Sequence, residues 1–244
     1  DRLIGDLTAL EDVDPDRVYL LGYSAGGDGV YQLAPRTADR WAAASMMAGH
    51  PNDASPLGLR NLPFAIHVGA DDAAYSRNKV AAEWKEKLAA LRAADPRGYE
   101  HDGRIHDGKG HWMDREDRVA LEWMGRFTRE SRPAKVVWKQ DDVLHGRCYW
   151  LAVPEAQRKP GAEVVVSRDG QLFTVEKADV AELWIHLDDR LADLDRPLTV
   201  KRGNATLFEG KVQRTIEALA ATLAERGDPG LAFSGRLKVA IPRD

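Results

Sequence analysis

Cysteine is almost missing from this chain. Cys148 is the single one among 244 residues, so no intrachain disulfide forms, and the fold rests on packing and hydrogen bonding. No apolar run is long enough to span a bilayer. No stretch reads as a signal peptide. No block of lysine and arginine stands out, and the formal net charge is -4, which argues against a nucleic-acid partner or an anionic membrane surface. Internal repeats and low-complexity tracts are lacking as well. What is present is ordinary for a globular protein: 43% hydrophobic and 30% charged residues, enough for one large domain or two modest ones.

The pattern of the first half differs from that of the second. Up to residue 132, strand-like and helix-like stretches alternate. "RVYLLG" (17–22), "WAAASMMAG" (41–49) and "LPFAIHVG" (62–69) read as buried strands, and "YEHDGRIHDG" (99–108) as a fourth. Helices are expected over Ala25–Leu33, over 78–95 with Val80, Ala81, Trp84, Leu88 and Leu91 on one face, and over 114–130. Such alternation implies a parallel sheet covered by helices. From residue 134 onward, short strand-like runs follow one another between turn signals such as "RDG" and "RGN". One helix is expected near 213–226. Acidic and basic residues are equal in number over 134–244, so the net negative charge lies in the first half. The fold class expected is therefore α/β over residues 1–132, followed by a smaller, mostly antiparallel β domain over 134–244.

Chemistry enters with "LLGYSAGGDG" (20–29). Gly22, Tyr23, Ser24, Ala25 and Gly26 fit G-x-S-x-G, between a strand and a helix. That motif places a serine on a sharp turn, with its hydroxyl above the carboxyl end of the sheet and a helix N-terminus beneath it. The Ala25 amide is then an oxyanion donor. The plainer reading is a tight turn whose serine caps the helix. A serine hydroxyl needs a base, and the base needs an orienting carboxylate. "AIHVGADDAAY" supplies Asp71 and Asp72 where the third strand ends, and "HDGKGHWMDRED" supplies His111 after the fourth. Serine, acid and histidine thus follow in the order this chemistry uses, each on a loop at a strand's C-terminal end.

His101, His106 and His111 recur every five residues, an odd spacing that alternates faces along a strand and argues against a shared metal. His67 lies within a strand and reads as a core histidine. Asp28, in the first helical turn, complements the helix dipole. Tyr23, His50 and Trp112 are candidate pocket residues. No cofactor and no metal are expected.

"VDPDRVYLLGYSAGGDGVYQLAPR", "HVGADD" and "GKGHWM" resemble α/β-hydrolase serine esterases, in the polyhydroxybutyrate depolymerase, feruloyl esterase, dienelactone hydrolase and prolyl oligopeptidase-like branches, over about residues 10–130. The resemblance implies Ser24 as nucleophile, Asp72 (third after Gly69) as acid, with Asp71 the alternative, and His111 as base. It implies a carboxylic-ester substrate, small or polymeric, and an acyl-enzyme. A prolyl-oligopeptidase-like peptidase is the rival enzyme, and a binding module with a vestigial triad is the rival without catalysis. Members of these families carry several strands and a second oxyanion donor before the elbow, whereas only "DRLIGDLTALEDVDPD" precedes it here. The resemblance therefore implies an N-terminal truncation of about 100 residues, and the compartment of the full-length protein stays open, secreted or periplasmic included. The segment after residue 134 resembles nothing with an assignable role.

Overall fold

The computed structural model describes residues 2–242. The chain divides into two compact units: Asp16–Glu130, and Asp1–Pro15 together with Ser131–Asp244. The first helix, α1 (Arg2–Leu10), thus groups with the later part of the chain.

In the unit of residues 16–130, four parallel strands lie in sequence order: β1 (Tyr19–Tyr23), β2 (Ala43–Met47), β3 (Phe64–Gly69) and β4 (His101–His106). β2 and β3 are buried along their whole length and mostly apolar, Ser45 and His67 excepted, as central parallel strands require. β1 and β4 form the edges, and β4 carries mostly charged or polar side chains. α2 (Ala25–Arg36) runs between β1 and β2, α3 (Arg77–Ala94) between β3 and β4, and the short α4 (Val119–Met124) follows β4.

Tyr31 from α2, Phe64 from β3 and Trp84 from α3 meet with ring centroids 4.5–6.0 Å apart. Ala81, Trp84 and Leu88 bury the apolar face of α3, while Val80 and Leu91 reach only half-burial. A second cluster joins Ala43 and Ala65 to Trp123 and Met124, with Tyr19 and Phe127 packed against it. Sheet and helices therefore form the α/β arrangement expected from the sequence.

One element is much shorter than expected. The helical pattern over 114–130 yields a single 3-10 turn (Glu116–Arg118) and then α4, ending at Met124. At the start, Asp114 and Arg115 take positive φ and delay the helix. At the end, tertiary bonds outweigh periodicity. The Tyr19 hydroxyl donates to the Phe127 carbonyl (2.9 Å), and Arg129 binds Asp16 (2.7 Å) and the Asp39 carbonyl (2.8 Å), pulling 127–129 out of helical register.

The other unit is β-rich. β5 (Lys135–Lys139), β8 (Glu163–Asp169), β9 (Leu172–Ala178), β11 (Leu198–Arg202) and β12 (Ala205–Gly210) make a five-stranded sheet. Its β9–β11 pair is parallel and the others are antiparallel. β6 (Arg147–Cys148), β7 (Leu151–Ala152), β10 (Glu182–Leu187) and β13 (Gly235–Ala240) make an antiparallel four-stranded sheet. "RCYWLAVP" is broken into two short strands because Tyr149 turns through a positive φ. Leu183, Ile185 and Leu187 alternate inward along β10, and Trp150 meets Phe173 edge-on in the core. α5 (Ile216–Arg226) opens on the Thr215 side chain, which accepts from the Ala218 amide (3.1 Å).

Candidate active site

Three loops at the carboxyl ends of β1, β3 and β4 carry Ser24, Asp72 and His111. Ser24 sits in the turn between β1 and α2 with φ 56° and ψ -120°, a conformation an L-residue rarely holds. Its amide donates to the Met47 carbonyl (2.8 Å), and its carbonyl accepts from the Asp28 amide (3.0 Å). The turn closes tightly because position 22 is glycine: a Cβ on Gly22 would overlap the Gly26 carbonyl. The same test finds open space at Gly26. Ala25 is the first residue of α2, so its N–H is one of the first-turn amides with no acceptor inside the helix.

The structure brings the serine, the second aspartate and the histidine together. His111 Nδ1 lies 2.7 Å from Asp72 Oδ2, and Nε2 lies 2.9 Å from Ser24 Oγ. An ionised carboxylate only accepts, so Nδ1 carries the proton and donates to Asp72. Nε2 is then the lone pair that accepts from the serine hydroxyl. Asp72 is 2% exposed. Asp71 instead points to solvent, while its backbone N–H donates to the Lys109 carbonyl (2.8 Å).

The base loop is held from several sides. A Cβ on Gly69 would overlap the carbonyls of Lys109 and Gly110, so the end of β3 and the loop before His111 touch backbone to backbone. Met113 is buried with Met47, Ala48 and Ala120. Lys109 Nζ pairs with Asp114 (2.9 Å) and Glu116 (3.0 Å), and these bonds raise the lysine and lower Glu116 from their ordinary pKa values.

Tyr23, expected as a pocket residue, makes a cross-link. Its hydroxyl donates to the His111 carbonyl (2.9 Å), and its ring lies 5.2 Å from the imidazole and 5.9 Å, edge-on, from Trp112. Burial, then the Asp72 and Asp117 charges, raise the phenol above its ordinary pKa, with Arg77 opposing them. The group therefore stays a donor at neutral pH. Trp112 is 59% exposed beside the histidine. His50, on the loop after β2, gives its amide to Asp28 Oδ1 (2.6 Å), and its ring Nδ1 is engaged by Asn52. Asp28 thus ties the start of α2 to that loop, in addition to facing the helix dipole.

The three evenly spaced histidines do not converge. His101 Nδ1 bonds the Tyr99 carbonyl (2.8 Å), and His106 lies between His67 (3.1 Å) and Glu116 (3.3 Å). Among the described residues, no group of three or more His, Cys, Asp or Glu side chains is placed to hold a metal ion. His67 is fully buried, and desolvation, helped by His106, pushes its pKa down to about 4. Two further contacts bear on the site, Tyr23 to His111 and Arg77 to Asp72 (3.6 Å). Neither has a spacing signal, because each depends on how two loops meet.

Among the described residues, no helix is long and apolar enough to cross a membrane. No family model matches the chain, and no curated protein does. A solved structure described as that of a thermostable esterase matches with 19% sequence identity and a TM-score of 0.42, covering 52% of this chain. The matched region spans 35% of that esterase chain.

Proposed function

We propose that residues 16–130 hold the site of a serine hydrolase that cleaves carboxylic esters. The observation that carries this reading is a single imidazole bonded to both Ser24 Oγ (2.9 Å) and Asp72 Oδ2 (2.7 Å). In this reading the Ser24 oxygen attacks the ester carbonyl carbon while His111 Nε2 takes the hydroxyl proton. Negative charge moves onto the carbonyl oxygen, facing the Ala25 amide at the start of α2. Asp72 holds the Nδ1–H tautomer and stabilises the imidazolium. The proton passes from Nε2 to the departing alkoxide as the carbon–oxygen bond breaks, leaving an acyl group on Ser24. Water then gives a proton to Nε2 as it attacks the acyl carbon, the bond from that carbon to Ser24 Oγ breaks, Nε2 returns the proton to Oγ, and the acid leaves. Trp112 and Tyr23 stand beside the imidazole and supply apolar surface for substrate.

The test uses the intact chain. A fluorophosphonate should label Ser24, and p-nitrophenyl esters should be hydrolysed faster than peptide anilides. Ser24→Ala should abolish labelling and lower turnover by at least about 10³-fold. Equal labelling of wild type and Ser24→Ala sinks the assignment. A preference for the anilides would replace the esterase with a peptidase.

A further inference from the structure

Asp72 has two carboxylate oxygens, and the reaction described above uses one. Oδ2 accepts from His111. Oδ1 faces Arg77 Nη1 at 3.6 Å, with both side chains largely buried. The guanidinium also lies over the Tyr75 ring, 4.7 Å from its centroid. Arg77 Nε is buried, with no hydrogen-bond partner among the described residues. Asp72 is the carboxylate this cation serves.

The intervening turn is built to deliver that arginine. Tyr75 (φ 55°) and Ser76 (φ 57°) take left-handed conformations in succession, although neither is glycine. Such residues cost free energy that the surrounding structure must offset. α3 then begins at Arg77 itself. The Asn78 amide donates to the Asp72 carbonyl (3.1 Å), and its side-chain Nδ2 donates to the Ala70 carbonyl (2.7 Å). Acid and arginine are thereby fixed on one short turn.

We propose that Arg77 is a positioning residue, holding one oxygen of Asp72 while His111 holds the other, and so setting how strongly Asp72 draws a proton onto the imidazole. The inference rests on the reading of Ser24, Asp72 and His111 given above. A buried carboxylate alone stabilises an imidazolium strongly, and a fixed cation on its far oxygen offsets part of that attraction. Few other charges compete. Ser24 and Tyr23 face the ring as neutral hydroxyl and phenol. Asp117 reaches Tyr23 electrostatically, as Asp72 and Arg77 do. On the base loop, Lys109 pairs with both Asp114 and Glu116, which leaves one net negative charge there, and His106 contacts Glu116.

Arg77→Gln, Arg77→Met and Arg77→Lys test this in the full chain. The protonation of the His111 ring is followed by NMR, assigned against His111→Gln, and the acid limb of fluorophosphonate labelling is measured in parallel. In the Gln and Met variants the midpoint and the acid limb should move up by about half to one pH unit, and in the Lys variant most of that shift should vanish. An unchanged or lowered midpoint in folded Arg77→Gln overturns the proposal. So does a midpoint in Arg77→Lys that matches the uncharged variants. Should Arg77→Met not fold, the Gln and Lys pair carries the same comparison. The NMR titration needs no turnover. A wild type that fails to label defeats the hydrolase reading, while the effect of Arg77 on the ring is still read separately.

Discussion

Tyr23 precedes Ser24 by one residue, yet its hydroxyl bonds His111, the residue proposed above to activate that serine. The bond to the His111 carbonyl fixes the base loop relative to the nucleophile turn across 88 positions of sequence. Tyr23→Phe keeps the ring and removes only this bond. A bond of this kind contributes about 1 kcal/mol, so kcat should fall roughly five- to tenfold. KM should stay within about twofold, because the ring surface is retained. A KM that rises while kcat holds would assign Tyr23 to substrate binding instead. At this scale much of the site was legible. Ser24, His111 and the Asp71–Asp72 pair announce themselves through residue type, order and position after strands. Tyr23 and Arg77 do not, because a side chain's direction across a loop is set by tertiary packing. Asp71 and Asp72 are adjacent, and only the fold shows that one faces His111 and the other faces solvent.

Strands and loops, more than helices, position this site. Three of the four parallel strands were readable from their apolar runs, since buried parallel strands leave little room for polar residues, whereas the edge strand β4 is mostly polar. Boundaries governed by long-range bonds were not readable. The 114–130 pattern lost its last turn to Arg129 and Asp16, and the parallel β9–β11 pair has no local signature. The contact between the end of β3 and the base loop belongs here too. Gly69→Ala places a methyl group against the Gly110 and Lys109 carbonyls, so the loop must back away. Overpacking of this kind costs on the order of 1–3 kcal/mol. The retreat carries His111 off Ser24, so activity should drop far more than the melting temperature suggests. Fluorophosphonate labelling at a temperature where circular dichroism shows the variant folded measures this. Wild-type labelling there would mean the loop tolerates the displacement.

Each of the two units buries one histidine as a neutral ring. His67, in β3, is pushed down to about 4, with desolvation the largest cause. His186, in β10, is pushed down to about 3 by burial and by the neighbouring charges of Arg147, Arg236 and Arg226. In the unfolded chain both rings take up a proton near pH 6.5. Above that pH neither state binds the proton, and the rings add no pH dependence. Below it the unfolded state binds protons that the native state refuses, so stability falls with pH. The decline continues to about pH 4 for His67 and about pH 3 for His186, where the native rings also protonate. Between pH 6.5 and 4.5 each ring therefore removes up to about 2–3 kcal/mol from its own unit. Urea unfolding across this range, followed by probes in each unit, should show both midpoints moving down. Paired carboxylates add a decline of the same sign, so the histidine share is isolated by variants. His67→Asn should flatten the pH dependence of the 16–130 unit alone, and His186→Asn that of the β-rich unit alone. Equal slopes in wild type and variants would mean that these rings do not govern the acid sensitivity of either unit.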